Sequence, residues 1–306
     1  LDPSTGYPAD GGLQAVTIIG EEGTVLTSNE YSANGAWASQ NMVTIFGDNV
    51  TLEGLTIKCK MDANKAIEVR GKDSTIRNVQ VLCNDILTHE EYLAGKGIEE
   101  GADTDYWDFY NSEFAGSLYY AGDIANATLE NFYIDKAWIS TTDVTNGTVS
   151  MADVTIGYAG CGYADSSLPI SANAGTVLQN GSELTVEIDN QLSDLQGLID
   201  RIPEGATIKF VAGNYALTGQ NDFPLLIDKS MTLEGASEQE AVYENDTVIT
   251  SGIVDVTEGT LFTRTPGGDR GITNLVRVTA SNVTFKNITF DSAICNDDTD
   301  KTVGIA

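Results

Sequence analysis

Few residues in this chain could do chemistry, and their spacing is unusual. His89 is the single histidine. No pair of imidazoles can hold a metal, so HExxH centres and two-histidine facial triads are excluded. A Ser-His-Asp relay would have to use His89, which lies in Asp85-Ile-Leu-Thr-His-Glu-Glu-Tyr92 with no Gly-x-Ser-x-Gly elbow in the chain. His89 reads as a solvated loop residue. Aromatic and acidic residues concentrate between Cys83 and Thr128, among them Tyr92, Tyr106, Trp107, Asp108, Tyr110 and Tyr119. Ring faces beside carboxylates suit stacking on a sugar ring with hydrogen bonds to its hydroxyls, or an anchored protein contact. The plainer reading is a loop whose rings fold back on the molecule, because a long ordered segment must bury something. Asp297, Asp298 and Asp300 offer oxygen ligands to a hard cation such as Ca2+. They lack the glycine and the distal glutamate of a calcium loop, and an acidic turn is the simpler alternative. No catalytic constellation emerges, and the chain is expected not to be an enzyme.

The elements that would position these residues follow from a repeat. Asp48-Asn-Val-Thr-Leu-Glu-Gly-Leu-Thr-Ile-Lys-Cys59 aligns without a gap on Lys72-Asp-Ser-Thr-Ile-Arg-Asn-Val-Gln-Val-Leu-Cys83, at a shift of 24 residues. Ala127–Ile134, Val149–Ile156 and Asn282–Phe290 carry the same pattern, an apolar alternation on both sides of one Asn, Gly or Asp. Period-2 alternation broken by one small polar residue describes two short strands meeting at a bend. Such a unit cannot bury its own apolar face, but copies stacked at about 4.8 Å bury it continuously. One rung of a parallel β-solenoid per repeat is therefore expected. Gly54, Asn78, Asn131, Asp153 and Asn287 should share a corner, with side-chain amides bonding from rung to rung. Glu53, Arg77 and Glu130 should form an outward ladder of alternating charge. Cys59 and Cys83 fall at equivalent places on neighbouring rungs, as either a disulfide or an unbonded stack.

On these segments the chain resembles the right-handed parallel β-helix superfamily that includes the pectate lyases. NVTLEGLTI (49–57), STIRNVQV (74–81), ATLENFYI (127–134) and NVTFKNITF (282–290) carry the resemblance. The resemblance implies an all-β, right-handed parallel β-helix with one short capping helix near 191–202. Leu192, Leu195, Ile199 and Ile202 have helical spacing, with Asn190 or Ser193 as N-cap and Pro203-Glu-Gly205 as the stop. In the resembled family such a helix covers the first rung. The family's lyases hold calcium with acidic residues and use an arginine as base. Its polygalacturonases need Gly-His-Gly and paired aspartates that this sequence lacks. Arg70 and Arg77 read as ladder charges, so no catalytic residue is carried over.

The two halves also match each other, MVTIFGDNVTLEGLTI (42–57) with LVRVTASNVTFKNITF (275–290). Two segments follow: 1–175, a β-helix without an N-terminal cap, and 176–306, a second with the capping helix and an open C-terminal end. Open rungs imply either a piece of a longer array or another copy stacked head to tail.

Composition narrows the function. The 306 residues are 41% hydrophobic, enough for a core, and carry a net charge of −29. That field repels nucleic acid and anionic membranes, and no apolar run is long enough to insert. Seven Asn-x-Ser/Thr sequons, at Asn49, Asn126, Asn146, Asn180, Asn245, Asn282 and Asn287, fit an extracellular or cell-surface setting. The expected function is a non-catalytic building block of a surface layer, sheath or head-to-tail filament, or an adhesin. Its partners would be copies of itself or neighbouring β-helix domains. The alternatives are a secreted polysaccharide lyase or hydrolase and a carbohydrate-binding module.

Overall fold

A computed structural model of the chain describes residues 15–27, 41–60, 65–85, 116–135, 138–159, 170–172, 176–179, 183–190, 192, 194–217, 224–237, 243–244, 247–248, 257–264, 274–291 and 303–305. The strands are, in order, β1 (Val16–Ile19), β2 (Val25–Thr27), β3 (Val43–Ile45), β4 (Val50–Lys60), β5 (Lys65–Val69), β6 (Thr75–Asp85), β7 (Ser117–Asp135) and β8 (Ile139–Ala159). β9 (Ile170–Ala172), β10 (Thr176–Gln179) and β11 (Leu184–Ile188) precede helix α1 (Leu195–Arg201). Then come β12 (Thr207–Phe210), β13 (Gly213–Leu217), β14 (Leu225–Ile227), β15 (Met231–Glu234), β16 (Tyr243–Glu244) and β17 (Thr247–Val248). β18 (Thr260–Arg264), β19 (Asn274–Val278), β20 (Val283–Lys286), β21 (Ile288–Asp291) and β22 (Val303–Ile305) complete the order. Among the described residues every pairing is parallel except the short β16–β17 hairpin. The chain is an all-β parallel β-helix.

The alternation sets the core. Leu26, Ile57, Val81, Ile134, Ile156, Val186, Ile208, Leu233 and Phe285 stand in register on successive rungs. From Ile57 to Leu233 each is 0% exposed. Burying one such side chain contributes about 1.5–3 kcal/mol, which no single rung could accumulate alone. The position one residue before this column faces outward and takes Thr56, Gln80, Tyr133, Thr155, Thr185, Thr207 and Thr232.

Bends between strands need a residue with positive φ, and the corner column supplies it. Gly54, Asn78, Asn131 and Asp153 do so in one column, three residues before the core column, with φ of 72°, 54°, 43° and 51°. In the second half the register gives that place to Asn282 (φ 57°), whereas Asn287 (φ 53°), expected there, bends the chain five residues further along the rung, beside Gly235. Asparagine and aspartate tolerate this region better than other side-chain-bearing residues, because they hydrogen-bond locally. The Asn131 amide donates to Asn78 Oδ1 at 2.9 Å, one rung to the next. A second corner uses Asn49, Asp73 and Ala125, with φ of 56°, 52° and 50°. Ala125 is the exception there, having a Cβ but no polar group to offset its cost. Ala125→Gly is therefore expected to stabilise the protein by about 1 kcal/mol, read as a raised urea midpoint. An unchanged or lowered midpoint would count against this account of the corner. Elsewhere the rungs approach closely: a Cβ on Gly71 would lie 1.9 Å from the Gly47 carbonyl oxygen.

The helix sits between rungs rather than at an end. β9, β10 and β11 all pair with β8. Residue 175 thus falls between two strands stacked on the same neighbour. β11 pairs on its other side with β12, and the sheet continues through β15 to β20. Among the described residues β13 and β14 pair only onward, with β18 and β19. α1 lies where the other stacks are interrupted, touching β9 and β14. Leu195, Leu198 and Ile199 are buried. Asp194, rather than Asn190 or Ser193, is the N-cap: its carboxylate accepts from the Gly197 amide at 2.7 Å. Gln196 substitutes for a neighbouring strand. Its side-chain oxygen accepts from the Leu226 amide at 2.8 Å, and its nitrogen donates to the Leu226 carbonyl at 3.2 Å. Lys229 donates to the carbonyls of Asp200 and Ile202 at the helix end, satisfying acceptors that the last turn leaves open.

Candidate functional site

The densest polar cluster lies on the sheet of β3, β5, β7 and β8. Thr44, Glu68, Tyr119 and Ser140 stand in register across it. Glu68 is 5% exposed, Tyr119 4% and Ser140 0%, so the outward position is buried on the inner strands of this sheet, while Thr44 on β3 is exposed. A buried carboxylate requires partners. Glu68 has them: Arg70 donates through Nε at 2.8 Å and its terminal nitrogen lies at 2.7 Å, both on Oε1. Lys65 Nζ lies 3.5 Å from the same oxygen. Asn41 donates its amide to Oε2 and also reaches the Thr44 hydroxyl at 3.3 Å. The Lys65 ammonium sits 4.0 Å over the Tyr119 ring, an electrostatic attraction to the ring face. Tyr119 donates to Asp143. Burial, reinforced by that hydrogen bond, holds its phenol well above the usual range.

Of the aromatic and acidic set expected from sequence, Tyr119 joins this cluster. Tyr92, Tyr106, Trp107, Asp108 and Tyr110 lie outside the described residues, as do His89 and the trio Asp297, Asp298 and Asp300. Among the described residues no group of three or more His, Cys, Asp or Glu could hold a metal ion. Cys59 is a buried free thiol. Lys58 pairs with Leu82, which puts positions 59 and 83 on neighbouring rungs; the side chain of Cys83 lies outside the described residues. Asn41, Lys65, Glu68 and Asp143 were not singled out by sequence. The available signal was a charge in mid-strand, Glu68 within Lys65-Ala-Ile-Glu-Val69, flanked by cations at both ends.

The outward charges behave partly as expected. Arg77 pairs with Glu53 at 2.7 Å, and that hydrogen bond raises its pKa first, with Glu130 adding a weaker field. The ladder is thus a pair with an onlooker. A second rung-to-rung pair joins Lys72 to Asp123 at 2.7 Å. It draws the Asp123 carboxyl below its ordinary value, helped by the Asn146 amide. In the second half Glu187, Lys209, Glu234 and Lys286 alternate in register. A cleft of about 300 Å³ opens where Gly54 leaves a gap in the corner column, lined by Thr56, Gln80, Asn78, Asn131 and Tyr133 among others.

The sequons have a structural origin. Asn49, Asn282 and Asn287 are positive-φ bend residues, each followed two residues on by a strand threonine. The rung pattern produces Asn-x-Thr by itself, so these sequons carry no information about glycosylation. No family model, no curated protein and no solved structure matches the chain. Its class rests on the fold, an all-β parallel β-helix.

Proposed function

We propose that this chain is a non-catalytic building block of an extracellular assembly. In this reading it is a right-handed β-helix of the pectate-lyase-like kind that lengthens by stacking copies end to end. One observation carries the proposal. Val16, Ile18, Ile19, Val25 and Leu26 on β1 and β2 are 37–66% exposed, whereas Leu52 and Ile57, the partners of Ile18 and Leu26 on the next rung, are 1% and 0% exposed. Side chains of core type left this exposed favour association. At the opposite end Val283, Phe285, Ile288 and Phe290 are only partly buried. Phe285 ends the inward column that Leu26 begins, so a second copy stacked in register would set Leu26 on Phe285. Head-to-tail addition of this kind is open and produces filaments.

Sedimentation velocity and negative-stain imaging across a concentration series test the proposal. The protein is expected to form linear particles that grow with concentration, and Ile18→Asp is expected to leave monomers with unchanged circular dichroism. Monodisperse monomers of the unaltered protein at high concentration would overturn it.

A further inference from the structure

The cluster around Glu68 contains the parts of a bond-forming reaction. We propose that Lys65 and Asn41 join in an intramolecular isopeptide bond, with Glu68 carrying the protons. This inference is independent of end-to-end stacking.

Three observations support it. First, the two residues face each other on adjacent rungs. The Met42 amide donates to the Lys65 carbonyl at 3.0 Å, and Val43 pairs with Ile67 two residues further along. Second, one carboxylate holds both reactants. Oε2 accepts from the Asn41 side-chain amide, and Oε1 lies 3.5 Å from Lys65 Nζ. Third, the amine and the carboxylate are shielded from solvent, and Asn41 is half-buried. Glu68 is 5% exposed, and the Lys65 side chain is 13% exposed, under cover of the Tyr119 ring. Holding amine, amide and proton carrier together replaces an improbable encounter by a step within one framework, and excluding water removes the competing hydrolysis. The other groups facing Glu68 are the guanidinium of Arg70, which fixes the orientation of Oε1, and, beyond Lys65, Tyr119 with its partner Asp143.

The reaction balances without any co-reactant. Lys65 gives a proton to Glu68 Oε1, and the free amine attacks Cγ of Asn41. The Nζ–Cγ bond forms and the Cγ–Nδ2 bond breaks. The two protons lost by Lys65 leave on Nδ2 as ammonium, and the carboxylate is regenerated. Glu68 already accepts from that nitrogen, which is the atom it must protonate. The product ties two rungs covalently next to the exposed β1–β2 edge.

Intact mass spectrometry of the purified full chain tests this directly. The expected mass is below that of the sequence by one ammonia. Proteolysis is expected to yield one branched peptide joining the Asn41 segment to the Lys65 segment. Glu68→Ala and Lys65→Arg should each restore the full mass. An unaltered protein at its full sequence mass overturns the proposal. So does ammonia loss without a branched peptide, which would report a succinimide at an Asn-Gly step such as Asn146-Gly147. Persistence of the branched peptide in Glu68→Ala would overturn the role given to the carboxylate.

Discussion

Leu198→Asp is expected to cost the protein most of its stability. Leu198 is 0% exposed and lies in the middle of the only helix among the described residues. That helix fills the space where several strand stacks stop on one side and begin on the other. An aspartate there would replace a member of the apolar core that includes Leu195, Ile199 and Ile202. Leaving one buried charge uncompensated costs about 3–5 kcal/mol, against a total of about 5–15 kcal/mol for a typical domain. Urea unfolding followed by circular dichroism is expected to show a collapsed midpoint at pH 7, partly recovered in acid as the new carboxyl protonates. Leu198→Met keeps the volume and should cost less than about 1.5 kcal/mol. Equal midpoints for the aspartate variant and the parent would mean that the helix is dispensable, contrary to its place in the fold.

The second large effect belongs to Phe262→Ala. Phe262 is 0% exposed and stands at the centre of an aromatic group. It makes edge-on contacts with Phe210 at 5.0 Å and Phe290 at 5.5 Å, and a tilted contact with Tyr215 at 5.6 Å. These rings come from three successive rungs, so they cannot all move inward to close a gap. Removing the ring should therefore cost about 3–5 kcal/mol. The loss is read from the same urea titration. A change below about 1 kcal/mol would mean that the neighbours collapse freely into the space, and that this end of the molecule is softer than its packing implies.

Much of the architecture was legible because it depends on local rules repeated many times. A positive-φ bend admits few residue types, so the shared corner of Gly54, Asn78, Asn131 and Asp153 is legible in the sequence; Asn287 is not at that corner, because the second half is offset along the rung and Asn282 takes the place. The inward column was equally plain, since one residue out of step would have placed Ile57 or Val81 in water. The helix was visible from its spacing, but its surroundings were not. Leu195 and Ile199 report that one face is covered, and nothing in them says that a sheet continues past on another side through β11 and β12. Its cap was a matter of one residue: Asn190, Ser193 and Asp194 all have the right chemistry, and only the bond from Gly197 distinguishes them. The Glu68 cluster was illegible for a different reason. Asn41, Lys65, Tyr119 and Asp143 come from four different rungs, and a 30-residue-scale insertion before β7 hides the period that would have aligned them.

The interruption at α1 has a mechanical consequence. Among the described residues, backbone hydrogen bonds cross it at the β11–β12 pairing and just beyond it, from the Val211 amide to the Ile188 carbonyl at 2.9 Å; the Tyr215 hydroxyl adds a side-chain bond to Ile188, and the remaining adhesion is packing. A load applied along the long axis would concentrate there, and the two halves would part as intact blocks before either unravelled. In an elongated material built from such units, that joint would set the extension at which the first yield occurs and would allow the halves to re-engage when tension is released.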